Sequence, residues 1–138
     1  MPFTGLQIQY QVIRTRMKLK IGFDAKRVFN NFTGLGNYSR NLLQDLPSKN
    51  PDFEFHLYTP SINRELSTNY FHSDLFKVHL PSNAIKIAWR SYGISNDLIK
   101  DEINLYHGLS NEIPFNFPKN KIKSIVTIHD LIFKIYPN

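Results

Sequence analysis

Two short stretches carry the residue types from which chemistry is built: Thr33-Gly34-Leu35-Gly36-Asn37-Tyr38 and His129-Asp130. The glycines end a polar loop and open a segment of helical periodicity. That order aims unpaired N–H groups and a positive dipole end at the space in front of the helix. Phosphate, carboxylate or a sugar hydroxyl suits such a place. Against this, Gly34 and Gly36 could serve only a tight turn and close helix–sheet packing. His129-Asp130 sets an imidazole that titrates near neutrality beside a carboxylate, which fits acid–base or substrate-orienting work. With His107 and Asp24 they could also ligate a metal, but no H-x-H or H-x-x-x-H spacing supports one. Their structural reading is a capping Asp130 and a packed, hydrogen-bonded His129, and spacing alone does not separate it from the chemical one. Arg27 and Arg40 flank the glycines and suit an anionic group, with a solvated helix face the simpler role for Arg40. Trp89, Arg90 and Tyr92 either cover a sugar ring or pack a helix.

The elements that must position these residues follow from periodicity. Lys18 to Asp24 alternates as a first strand through Leu19, Ile21 and Phe23. Ala25 to Thr33 reads as a long loop. Leu35 to Leu46 reads as a helix, with Tyr38, Leu42 and Leu46 in one stripe widened by Leu35 and Leu43, stopped by Pro47. Phe53 to Tyr58 and Phe76 to Leu80 are strands two and three. Ala84 to Lys100 is a second helix that buries Ile87, Trp89, Ile94 and Leu98, with Gly93 free to bend it. Ile103 to His107 is strand four. The apolar, β-branched Ser124 to Ile128 is strand five and reads as central. Strands separated by helices predict an α/β fold with a parallel sheet, in which ligands bind beyond the carboxyl ends of the strands. Asp24, His107-Gly108 and His129-Asp130 all fall at such ends, and Ser110-Asn111-Glu112 lies in the loop between strands four and five.

Composition narrows the classes. The chain has 138 residues, enough for one domain with a real core, and no cysteine, which rules out disulfides and thiolate metal sites and fits a reducing compartment. No apolar run is long enough to cross a bilayer. Seventeen Lys and Arg against eleven Asp and Glu give a net charge of +6, favouring anionic partners. The charge is spread without a basic block, which argues against nucleic acid. Gly34-x-Gly36 is part of a dinucleotide fingerprint. However, Ser39 holds the third glycine position, nine residues separate Asp24 from Gly34, and Tyr58-Thr59 stands where an acidic residue is needed. Met17 and the strand after it make residues 1–17 an extension ahead of the domain, from an upstream start or not native, although Leu6, Ile8, Tyr10 and Val12 alternate as an edge strand would. Residues 18–138 are the domain, and Leu131 to Asn138 is a tail without a partner in the chain.

Four motifs in order resemble the N-terminal half of bacterial family 4 glycosyltransferases of the GT-B fold, with a mannosyltransferase-like flavour. They are Ile21-Gly22-Phe23-Asp24, then Thr33 to Leu43, then Tyr106-His107-Gly108-Leu109-Ser110-Asn111-Glu112-Ile113-Pro114, then Val126-Thr127-Ile128-His129-Asp130-Leu131-Ile132 with Tyr136-Pro137. The resemblance spans Lys18 to Asn138. It implies a Rossmann-like, mostly parallel sheet flanked by helices, the acceptor-side domain of a two-domain enzyme. The implied activity is retaining transfer of a hexose from a nucleotide-sugar donor to a saccharide or lipid-linked saccharide, with no metal and no cofactor. It places His129 and Asp130 at the transferred sugar, Gly34 and Gly36 by the donor diphosphate and acceptor, and Asp24, Arg27 and His107 among substrate contacts. The donor domain, its Arg/Lys pair and its Glu-x7-Glu pattern have no counterpart here, and the last strands and helices of the first domain would lie beyond Asn138. A partner subunit, a cytoplasmic location and contact with the inner face of the membrane are implied. Two rivals stand beside it: a stand-alone saccharide- or partner-binding module without catalysis, and a nucleotide-binding protein that uses the glycine loop.

Overall fold

The computed structural model describes residues 18–66, 69–82 and 88–130. The extension before Lys18, with its alternating edge-strand pattern, and the tail Leu131 to Asn138 lie outside the described residues, as does Ile87. The chain runs β1 (Leu19–Asp24), α1 (Lys26–Asn30), α2 (Gly34–Lys49), β2 (Phe53–Tyr58), a 3₁₀ turn (Asn69–His72), β3 (Phe76–His79), a π-helical turn (Trp89–Gly93), α3 (Ile94–Lys100), β4 (Leu105–Gly108) and β5 (Lys123–Val126). The five strands form one sheet in the order β3-β2-β1-β4-β5, and every pairing is parallel. This is a Rossmann-like α/β arrangement.

The period of two along each strand sorts the core onto two faces. Ile21, Phe23, Phe55, Leu57 and Phe76 pack with Val28, Phe29 and Leu43 beneath α1 and α2. Tyr58 and Tyr106 pack with Trp89, Ile94, Leu98 and Ile103 on the α3 side. Gly22 lets that second layer close on the sheet: a Cβ there would lie 3.1 Å from the Tyr58 ring and 3.3 Å from Leu98.

Several local expectations change. The segment after β1 is not all loop, because Lys26–Asn30 forms α1; the Lys26 N–H donates to Asp24 Oδ1 at 3.2 Å, and Val28 and Phe29 are fully buried. Pro47 does not stop α2. The helix continues to Lys49 with Pro47 on its buried face, and both the backbone N–H and the Nδ2 of Asn50 donate to Leu46 O. The buried stripe of α2 is Gly36, Ser39, Leu43 and Pro47, with Leu42 and Leu46 packed beside it, whereas Tyr38 is exposed. The second helix is a π turn followed by α3, so the change of helix type falls at Gly93. Strand five is not central. It pairs only with β4 among the described residues and leaves Ile125 and Val126 exposed. A β-branched run reports strand propensity, but the order of crossovers decides which strand is enclosed.

Candidate functional site

The carboxyl ends of β1 and β4 open into a cavity of about 290 Å³ whose polar wall is Asp24, Arg90, Asn111 and Glu112 and whose apolar wall includes Tyr106 and Phe115. Asp24 ends β1, and 3% of its surface is exposed. One oxygen holds the start of α1. The other, Oδ2, accepts from Arg90 Nη2 at 2.5 Å and Nε at 3.0 Å. Arg90 Nη1 donates to Glu112 Oε2 at 2.6 Å. Burial works against the Arg90 charge, but the hydrogen bond and field of Asp24, with help from Glu112, more than offset it and hold the guanidinium pKa above its usual value. Tyr106 forms the floor, and burial pushes its phenol well above the usual range. One cation against two carboxylates leaves the wall with a surplus negative charge.

The β4–β5 connection presents Glu112 through a tight backbone turn. Gly108 faces the Glu112 carbonyl so closely that no side chain fits between them. Asn111 adopts φ 60°, a left-handed conformation that asparagine tolerates better than most residues. Its N–H donates to Thr127 O, and its side chain accepts from the His129 N–H at 3.1 Å. Phe115 stands exposed in the apolar wall with its ring centroid 5.7 Å from that of the exposed Tyr92, and the Phe115 N–H donates to Ser91 O.

The residues singled out by sequence divide into two groups. Asp24 lies in the cavity wall. His129 lies instead at a corner with α2: its Nε2–H donates to Leu109 O at 2.7 Å, and its ring meets Tyr38 edge-on at 5.0 Å. Asp130 follows it on the surface. The helix start behind Tyr38 is already partly capped, since Asn31 Oδ1 accepts from the N–H groups of Thr33 and Gly36. Gly34 faces open space, while Gly36 lies against the Asn31 carbonyl. His107 bonds Thr127 Oγ1 at 2.8 Å and packs on Phe23, and burial lowers its pKa. Arg27 keeps a buried Nε without a hydrogen-bond partner. Arg40 is not a solvated side chain: it donates to the Val28 and Asn31 carbonyls and to Asn37, closing the end of α1. Trp89 packs in the core and donates to Asp97.

Arg90 and Glu112 carry most of the cavity's polar character. In the sequence Arg90 stood out only beside two aromatics, and Glu112 only as part of a polar tripeptide. Sixty-six positions separate Arg90 from Asp24, so no spacing pattern joins them. A second polar cluster, His56, His79 and Asp101, gathers on the α3 side of the β2–β3 edge and is equally invisible to local spacing. Among the described residues no helix is long and apolar enough to cross a membrane. Comparison of the chain with protein-family models, with curated proteins and with solved structures found no match.

Proposed function

We propose that this chain is the acceptor-side domain of a retaining glycosyltransferase and that the cavity at the ends of β1 and β4 holds a saccharide hydroxyl face. The observation that carries the reading is the pairing of the Asp24–Arg90–Glu112 wall with the exposed Phe115 ring across an open cavity. Sugar hydroxyls both donate and accept. Carboxylate oxygens, a guanidinium and an asparagine amide serve both roles, while an aromatic face receives the C–H side of a pyranose. The surplus negative charge of the wall favours a neutral saccharide over a phosphate at this spot. The Rossmann-like sheet supports the reading, because ligands of such sheets lie beyond the carboxyl ends of the strands. The four ordered sequence motifs supply the transfer reaction itself. In this reading the leaving diphosphate would be stabilised by a donor domain across the cleft.

The test is glycan binding to the purified chain, followed by ligand-observed NMR with neutral oligosaccharides and, separately, with nucleotide sugars. The expected result is neutral-saccharide binding that weakens about tenfold in Glu112→Gln, the equivalent of one charge-assisted hydrogen bond, and weakens likewise in Phe115→Ala. Nucleotide-sugar binding in the absence of acceptor would favour the nucleotide-binding rival. Absence of any saccharide binding would remove the reading.

A further inference from the structure

On the α3 side of the sheet, β2 and β3 carry a line of ionisable side chains that shares no residue with the cavity. His56 Nε2 lies 2.7 Å from Glu54 Oε1, and Lys77 Nζ lies 2.6 Å from the same oxygen. On the other side of the ring, His56 Nδ1 faces His79 Nε2 at 2.9 Å. His79 Nδ1 then faces Asp101 Oδ2 at 3.3 Å, and that oxygen accepts from the Tyr58 hydroxyl at 2.7 Å. Tyr58 stacks on His79 at 4.5 Å. Strand register builds the cluster: His56 and Tyr58 share a face of β2, and their partners on β3 are Lys77 and His79. Asp101 arrives from the end of α3.

A neutral imidazole carries one N–H. Two neutral rings supply the two hydrogen bonds, His56 Nε2–H to Glu54 and His79 Nε2–H to His56 Nδ1, and leave the Nδ1 lone pair of His79 facing Asp101 Oδ2 at 3.3 Å, an approach without a hydrogen bond. Burial disfavours the charged form of both rings and lowers both pKa values. Neutral imidazole is the form that binds a metal ion.

We propose that His56, His79 and Asp101 form a site for one divalent transition-metal ion of the zinc class, with Glu54 orienting His56. One ligand atom from each of the three lies within 4.8 Å of the others. Ligand atoms about 2.0–2.1 Å from a tetrahedral zinc stand roughly 3.4 Å apart, so the histidine nitrogens, 2.9 Å apart, open by a few tenths of an ångström, while any pair as far apart as 4.8 Å closes by about 1.4 Å. Glu54 accepts the Nε2–H of His56 and so leaves Nδ1 as the donor lone pair, the usual arrangement of a carboxylate behind a ligating histidine. Two imidazoles and one carboxylate select zinc, cobalt or nickel over magnesium or calcium, which prefer all-oxygen shells. The side chains of His79 and Asp101 are 25% and 23% exposed, which provides an entry path and room for a water as fourth ligand. The ion would tie β2, β3 and the α3–β4 turn together. This inference is independent of the sugar-transfer reading, whose chemistry is metal-free.

The experiment is titration of the full chain, free of any histidine tag, with Zn²⁺ by calorimetry and with Co²⁺ by visible absorption. One ion per chain, the intense d–d bands of four-coordinate cobalt and a melting temperature that rises with Zn²⁺ are expected. His79→Ala and Asp101→Asn should each weaken uptake at least tenfold, while His72→Ala, outside the cluster, leaves it unchanged. Circular dichroism establishes that each variant is folded. Lack of stoichiometric uptake by the wild-type chain overturns the proposal, even if a variant fails to fold. So does uptake unaffected by both substitutions, or a melting temperature indifferent to Zn²⁺.

Discussion

At the scale of single residues, Arg90 is the joint of the cavity. Its side chain is 18% exposed and neutralises Asp24, whose side chain is 4% exposed, while its third contact, Glu112, reaches into solvent at 65%. The two acids therefore answer differently to loss of the cation. Arg90→Met leaves Asp24 buried without its partner, and breaking such a pair costs about 3–5 kcal/mol. Glu112→Gln removes a contact at the solvent rim and costs under about 1 kcal/mol of stability. Urea denaturation of both variants measures the contrast. Equal losses would mean that Asp24 finds another partner when Arg90 is gone. The same asymmetry makes Glu112 the better probe of ligand binding, because its removal leaves the fold in place.

At the scale of elements, the start of α2 turns on two glycines with different duties. Gly36 sits on the buried face, and a methyl group there would collide with the Asn31 carbonyl and crowd the Arg40 guanidinium. The α1–α2 corner packs that closely because Arg40 gathers the Val28 and Asn31 carbonyls, while the Asn31 side chain accepts from the Gly36 N–H. Gly36→Ala should destabilise the fold by about 1–3 kcal/mol, the usual cost of overpacking. A methyl group at Gly34 would meet nothing within 4 Å, so Gly34→Ala should fall within about 0.5 kcal/mol of the parent. Thermal melts of the pair decide it: a Gly36→Ala protein as stable as Gly34→Ala would show that the corner can relax. In the sequence the two glycines look equivalent, since both lie at the opening of the helix. Only the return of α1 against α2 separates them.

At the scale of the whole molecule, the parallel sheet makes stability depend on pH through its half-buried His107. His107 links β4 to the chain after β5 through Thr127, and burial alone lowers its pKa from the ordinary 6.5. A histidine held neutral in the fold protonates first in the unfolded chain. Stability is therefore full above the unfolded value and falls as pH drops below about 6.5. Replacing His107 by Asn should flatten this acid slope in metal-free buffer. An unchanged slope would assign the loss to other groups.

Much of this molecule was legible as sequence. Alternation of apolar residues in the first three strands and a β-branched, apolar run in the fifth helped mark all five strands to within about two positions, the strand–helix rhythm predicted the parallel α/β sheet, and Asp24 stood out at the end of its strand. These signals are local, because a side-chain period reports the face that a segment must bury. What the tertiary structure decided is non-local. Among the described residues the crossovers put β1 at the centre and β5 at the edge, enclosed Pro47 within a helix, and drew Arg90 and Glu112 to Asp24 across the carboxyl end of the sheet. They also set His56 beside His79 and Asp101. Contacts between residues twenty or more positions apart depend on strand order and register, and neither quantity is written in the spacing of any one segment.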